Sequence, residues 1–263
     1  MVARGGETVP AYHHGRAGWA LARQARLARR VRHPLGRPGT WGAPLGPLLV
    51  YLPLVASGTL PSPPDGLPAV AYAALGYLTW SLLIDVILAP ARGLGAHRAD
   101  VHAPPAAVLA GLLEAAERSG ARGVVLLPLA WAVAGGLDPP GLLAALALLP
   151  LALALALGLG LALAVWAVPW PDLTTGAATT LRLTLLPGLV LFPLPDASWA
   201  WAVTVLNPLA LWTDVLRSMA AHGAVPAGLG LALTAWSLGG VALALVTGRA
   251  FVRLAPRLRE MAP

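Results

Sequence analysis

The chain has 263 residues, 57% of them hydrophobic and 11% charged, and its mean hydropathy is +0.72. A soluble domain carries about 25% charged residues, so the composition excludes an ordinary soluble enzyme and a disordered chain and points to a multi-pass helical membrane protein. The net charge is +7, all 18 basic residues are arginine and cysteine is absent, which excludes a Walker P-loop, lysine Schiff-base chemistry, thiol nucleophiles and cysteine-ligated metals.

Residues 1–40 form a basic arm, with Arg4, Arg16, Arg23, Arg26, Arg29, Arg30, Arg32 and Arg37 against Glu7 alone. Arginine-rich flanks stay cytoplasmic, and no apolar core follows directly to make a cleavable signal peptide. Within the arm, residues 17–32 read as a basic amphipathic helix. Ala20, Leu21, Leu27, Ala28 and Val31 fall on one side, and Arg23, Arg26, Arg29, Arg30 and Arg32 on the other, with Trp19 off the apolar arc. Such a helix suits the inner membrane surface, where each arginine near anionic lipid adds about 1 kcal/mol.

The apolar runs then predict six spans, at 43–60, 67–89 (stopping at Pro90), 123–136, 142–168, 177–194 and 224–248. The third is short and is expected to extend backward into the charged stretch holding Glu114, Glu117, Arg118 and Arg122. Residues 197–221 are apolar but broken by Asn207–Pro208, too short on either side for the roughly 20 residues of a full span. They read as a re-entrant hairpin. The outer turns then hold Asp65, Asp138, and Asp196 with Asp214 and Arg217, while the tail 249–263 carries four arginines and one glutamate. Charge and span parity agree on two cytoplasmic termini. The expected fold is therefore all-α: a polytopic membrane protein with six transmembrane helices, an N-terminal amphipathic interfacial helix and a re-entrant hairpin between helices 5 and 6.

The order of these parts resembles the membrane subunits of type-2 ABC exporters, within them the polysaccharide and polyol-phosphate export permeases of O-antigen, capsule or teichoic-acid type. RQARLARRVRHPLG, then WGAPLGP before the first span, is similar to the family's interfacial helix. The span 142–168 followed by PWPDL resembles its fourth helix and the aromatic-Arg-Asp turn after it. Pro171 stands where the family often has arginine, and only Asp172 matches. The stretch LTLLPGLVLFPLPDASWAWAVTVLNPLALWTDVLRSMAAHG resembles a fifth helix, a re-entrant pair centred on Asn207–Pro208 and the arginine that follows, here Arg217. GRAFVRLAPRLREMAP resembles the family's end. The resemblance covers nearly the whole chain.

It implies a homodimeric pore in the bacterial cytoplasmic (inner) membrane and a separate cytoplasmic ATPase subunit. It also implies export of a lipid-linked glycan, with no cofactor on this chain and with ATP and Mg supplied through the partner. Nucleic acid is not an expected partner. A chain without a P-loop needs such an ATPase. The loop 91–104, with Arg92, His97, Arg98, Asp100 and His102, sits where such permeases place a coupling helix, although a cytoplasmic loop obeying the charge rule would look the same. The spacing of His97 and His102 is a weak metal pattern.

Among single residues, Tyr51, Tyr77 and Trp80 are candidates to line a substrate path, since sugars slide on aromatic faces. Tyr77 and Trp80 are three apart on one helix face. The bland reading of most aromatics here is an interfacial belt. Asn207, Pro208 and Arg217 are gate candidates, because non-helical backbone at membrane depth must be buried in protein or line a water cavity. An outer interfacial hairpin without a gating role is the alternative. Asp85 reads as a carboxylate reaching interfacial water before it reads as a substrate or proton site. Glu114 and Arg118 read as a helix-stabilising i,i+4 pair.

Other classes remain open at this stage. An exporter of a drug, lipid or other small molecule has the same architecture. A membrane-embedded enzyme acting on a polyprenyl-phosphate lipid needs polar residues clustered at one face, whereas Asp65, Asp138, Asp172 and Asp196 are scattered along the chain. A non-transporting assembly protein is the fourth reading.

Overall fold

The computed structural model describes residues 15–24, 46–58, 63, 67–96, 104–183 and 198–260. All regular structure among them is helical. The elements are α1 (15–24), α2 (Gly46–Ala56), α3 (Ala69–Ala96), α4 (Pro104–Val133), α5 (Pro139–Ala167), α6 (Asp172–Leu183), α7 (Ser198–Leu206), α8 (Pro208–His222) and α9 (Gly230–Glu260). Among the described residues, three stretches are long and apolar enough to cross a membrane: α3, α5 and residues 230–257 of α9. They mark a membrane protein.

α3 is the central helix. It packs against α4, α5 and α8, and α5 in turn carries α9. Small residues set these approaches. Ala89 and Gly93 on α3 face Ala107 and Gly111 on α4, each pair four residues apart. A Cβ on Gly93 would collide with the Ala107 carbonyl oxygen, and one on Gly111 with that of Ala89. This reciprocal small-xxx-small contact lets two backbones touch where lipid gives no hydrophobic drive to helix pairing. α9 approaches α5 the same way. Gly158 lies against Ala244, and a Cβ on Gly240 would come within 2.7 Å of the Leu155 Cβ.

The helix bounds depart from the apolar runs at identifiable places. α3 does not stop at Pro90 but runs to Ala96. Proline removes one N–H, and neighbouring helices can cover the carbonyls it frees. Here Gly160 of α5 fits against the Ile87 and Val86 carbonyls, 2.6 and 3.1 Å from where its Cβ would stand. α4 is one 30-residue helix that includes the charged stretch, and it ends at Val133 before the left-handed Gly135. α2 has only 11 residues and α6 only 12; residues 184–194 of the expected fifth span lie outside the described residues. α5 matches the fourth predicted run closely, and Asp138 caps it by accepting from the Gly141 N–H at 2.7 Å. α9 starts after the turn at Gly228 and continues through the expected tail to Glu260. In α1 the buried face is Gly18 and Ala22, with Ala20 exposed; Gly18 lies against Ala106 and Leu109 of α4. The rest of the predicted amphipathic helix lies outside the described residues.

The two ends of the bundle differ in charge. One end joins Ala91 and Leu94 of α3, Ala107 and Val108 of α4, Ala164 and Ala167 of α5 and Phe251 of α9. Arg16, Arg23, Arg92, Arg249, Arg253 and Arg257 belong to the helix segments at this end. At the opposite end Asp138 and Gly141 of α5 meet Gly223 beyond α8.

Candidate functional site

Two polar sites are built into the bundle. The first joins residues that the sequence leaves far apart. Asp85 and Arg92 are seven residues apart, hence on one face of α3, and Arg118 and Arg122 share a face of α4 at i,i+4. Packed together, the two faces surround one carboxylate. Arg122 donates to Asp85 at 2.7 Å, Arg92 and Arg118 lie 3.5 Å from it, and Arg118 also pairs with Glu114 at 3.7 Å. The Asp85 side chain is 8% exposed, while Arg92, Arg118 and Arg122 are 33%, 28% and 20% exposed. The Nε of Arg118 is buried and makes no hydrogen bond among the described residues. Arg182, exposed near the end of α6, acts electrostatically on Arg92.

The excess of donors and positive charge is the chemical content of this site. Each guanidinium offers five N–H groups, and a carboxylate has two acceptor oxygens. Three arginines against Asp85 and Glu114 leave one net positive charge, and Arg182 adds a second. The signal was present in the sequence as two charge patterns with helical spacing. What the sequence could not supply was the pairing of α3 with α4.

The second site surrounds α8. Asn207 is the N-cap of α8; its side chain accepts from Leu209 and Ala210 at 3.1 and 3.4 Å, and Pro208 fills the first helical position, where a missing N–H costs nothing. α7 meets α9 through Trp236, whose Nε1 donates to the Val205 carbonyl at 2.8 Å. Arg217, placed by the sequence in an outer turn and among the gate candidates, is 2% exposed. It pairs with Asp214 and lies over the Tyr72 ring, 3.5 Å from its centroid. Desolvated cation–π contacts of this kind are worth about 2 kcal/mol. The adjacent Trp212 Nε1 and Thr213 Oγ1 are buried without a hydrogen bond among the described residues.

Of the path candidates, Tyr51 and Trp80 are buried members of one apolar cluster with Tyr72, and Tyr77 packs against it. Tyr77 and Trp80 are in ring contact, with centroids 6.0 Å apart. The structure thus places all three in one apolar cluster between α2 and α3. Arg92 belongs to α3 and faces Asp85, so it is not in a loop. His97, Arg98, Asp100 and His102 lie outside the described residues. No group of three His, Cys, Asp or Glu suited to a metal occurs among the described residues. No protein-family model matches the chain, and no curated protein matches it.

Proposed function

We propose that this chain is the membrane-spanning permease subunit of an ATP-driven ABC exporter. Two copies would form the path, a separate cytoplasmic ATPase would supply the energy, and the cargo would be a lipid-linked polysaccharide or related cell-envelope glycan polymer crossing the bacterial cytoplasmic membrane. The observation that carries the reading is the interrupted pair α7–α8. Two short helices meet at Asn207 beside the full-length α9, and α8 runs from there to Gly223, against Asp138 at the start of α5. Broken backbone beside spanning helices is tolerated where protein buries it or a water cavity receives it. Such a break suits a gate, with Asn207 and Pro208 at its tip and Arg217 anchoring its returning arm.

The charge difference between the two ends supports an orientation with the arginine-rich end in the cytoplasm. Both long basic segments would then lie where an ATPase docks. Six spans and a re-entrant hairpin belong to this proposal, with α2, the apolar part of α4 and the region of α6 completing the count.

The test is co-expression with a candidate P-loop ATPase, followed by ATPase assays in lipid with and without a lipid-linked glycan. Stable co-purification and stimulation by the glycan are the expected results. Transport by the chain alone on an ion gradient, or turnover of a polyprenyl-phosphate lipid by the purified chain, would overturn the reading.

A further inference from the structure

We infer that Arg92, Arg118 and Arg122, gathered around Asp85, form a binding site for a phosphate or diphosphate group, presented by a lipid headgroup or free in solution. The inference takes from the proposed function only the orientation with the arginine-rich end inside, and a chain that transports nothing could hold such a group.

Three observations converge. The first is charge: the cluster and Arg182 exceed their carboxylates by two, which matches an anion of phosphate or diphosphate charge. The second is unmet hydrogen bonding. Of the three arginine contacts with Asp85, that of Arg122 is the one short enough to be a side-chain hydrogen bond. The Arg92 and Arg118 contacts with Asp85 stand at 3.5 Å, and the Arg118 Nε, the atom that makes the second of them, is buried without a hydrogen bond among the described residues. Planar guanidinium forks from two helices suit the several oxygens of a phosphate, which accept bidentate pairs.

The third is position. From Ala69 to Asp85, α3 rises about 24 Å at roughly 1.5 Å per residue, out of a hydrocarbon thickness of about 30 Å. With the arginine-rich end inside, Asp85 is then near the inner boundary, and the partly exposed arginines reach headgroup depth. Basic pockets between helices on the cytoplasmic side take lipid headgroups.

Asp85 has a defined part in this site. It holds three like charges together when no ligand is bound, and it competes with an incoming anion. The arginines and Asp85 therefore have opposite effects on anion binding. A network that only pins α3 to α4 would make them alike, since losing either partner would weaken the same bridge.

The experiment uses the full chain in phosphatidylcholine nanodiscs doped with phosphatidic acid. Retained phosphatidic acid is read by native mass spectrometry, and inorganic pyrophosphate is added as competitor. Arg118→Gln and Arg122→Gln are each expected to lower retention about tenfold, the scale of one lost charge-assisted contact. Asp85→Asn, which keeps size and an acceptor for Arg122, is expected to hold or raise it. Displacement by pyrophosphate would show that the site takes the phosphate group from either source. Retention that pyrophosphate leaves intact but Arg118→Gln abolishes would assign the site to the lipid headgroup. Unchanged retention in both arginine variants, or a loss in Asp85→Asn equal to theirs, would overturn the proposal. If Arg122→Gln does not fold, Arg118→Gln decides, because its ion pairs are the longer ones.

Discussion

α3 and α9 are both long apolar helices, and they use that character in opposite ways. Most of α3 is buried in protein on several sides, whereas α9 packs one face on α5 and exposes Leu231, Leu238, Val241, Leu245 and Val246. The hydroxyls of α9 turn inward on their own helix: Thr234, Ser237 and Thr247 donate to carbonyls one turn back. Polar groups facing lipid need such local partners. α3 instead carries Asp85 and Arg92, whose partners come from α4. Apolarity alone therefore does not say what covers a helix. The glycines and the charges do.

The largest loss is expected where the backbones of α3 and α4 touch. Gly111→Leu places a side chain where even a Cβ meets the Ala89 carbonyl, so α3 and α4 must separate. The expected loss is roughly 3 kcal/mol or more, read as a lowered melting temperature in detergent. A neutral result would mean that α3 and α4 do not pack through these glycines.

Next in size is Asp85→Ala. It leaves Arg92, Arg118 and Arg122 facing one another without the carboxylate between them. A fully buried pair broken on one side costs about 3–5 kcal/mol, and the partial exposure of the arginines screens this to about 2 kcal/mol. Raising the salt concentration should recover part of the loss, because ions screen the remaining repulsion. A loss indifferent to salt would point to lost packing rather than charge.

A smaller effect is expected at the second site. Tyr72→Leu keeps apolar bulk beside α8 but removes the ring under Arg217, for an expected loss of about 1–2 kcal/mol. Tyr72→Phe keeps the ring face and should recover most of it. Melting temperatures of the two variants make the comparison, and equal losses would show that the phenol oxygen, not the ring face, holds Arg217.

The sequence makes the long elements legible and hides their partners. The run at 142–168 is read well because Asp138 caps it, two prolines open it and no charge interrupts it. The break at Asn207–Pro208 is read for the same local reason, since a short polar cap and a proline act on their own neighbours. Pro90 misleads, because its effect depends on whether another helix covers the freed carbonyls, and Gly160 is 70 residues away. Arg217 misleads similarly: its place in the chain suggests an outer turn, and only the approach of α3 brings Tyr72 against it. Asp85, Arg118 and Arg122 are each visible as polar residues at helical spacing. Their meeting depends on the register of α3 against α4, which the Gly93–Gly111 contact fixes and no single-helix pattern contains.

The smallest effect on stability belongs to α9. The chain has no cysteine, so one can be introduced without background labelling. Leu238 is 69% exposed in the protein alone, so Leu238→Cys removes few protein contacts and should change stability by no more than about 0.5 kcal/mol. Its reactivity is the informative quantity. A thiol in hydrocarbon meets neither water nor the ions that favour its reactive thiolate, so in membranes it should resist a water-soluble maleimide. Arg253→Cys, in the arginine-bearing last turns of the same helix, should label readily. Two intermediate positions make the gradient continuous: Leu245→Cys should still resist, and Arg249→Cys should begin to react. If Leu238→Cys labels as fast as Arg253→Cys, water covers that face of α9, and the contrast between a protein-covered α3 and a lipid-covered α9 fails.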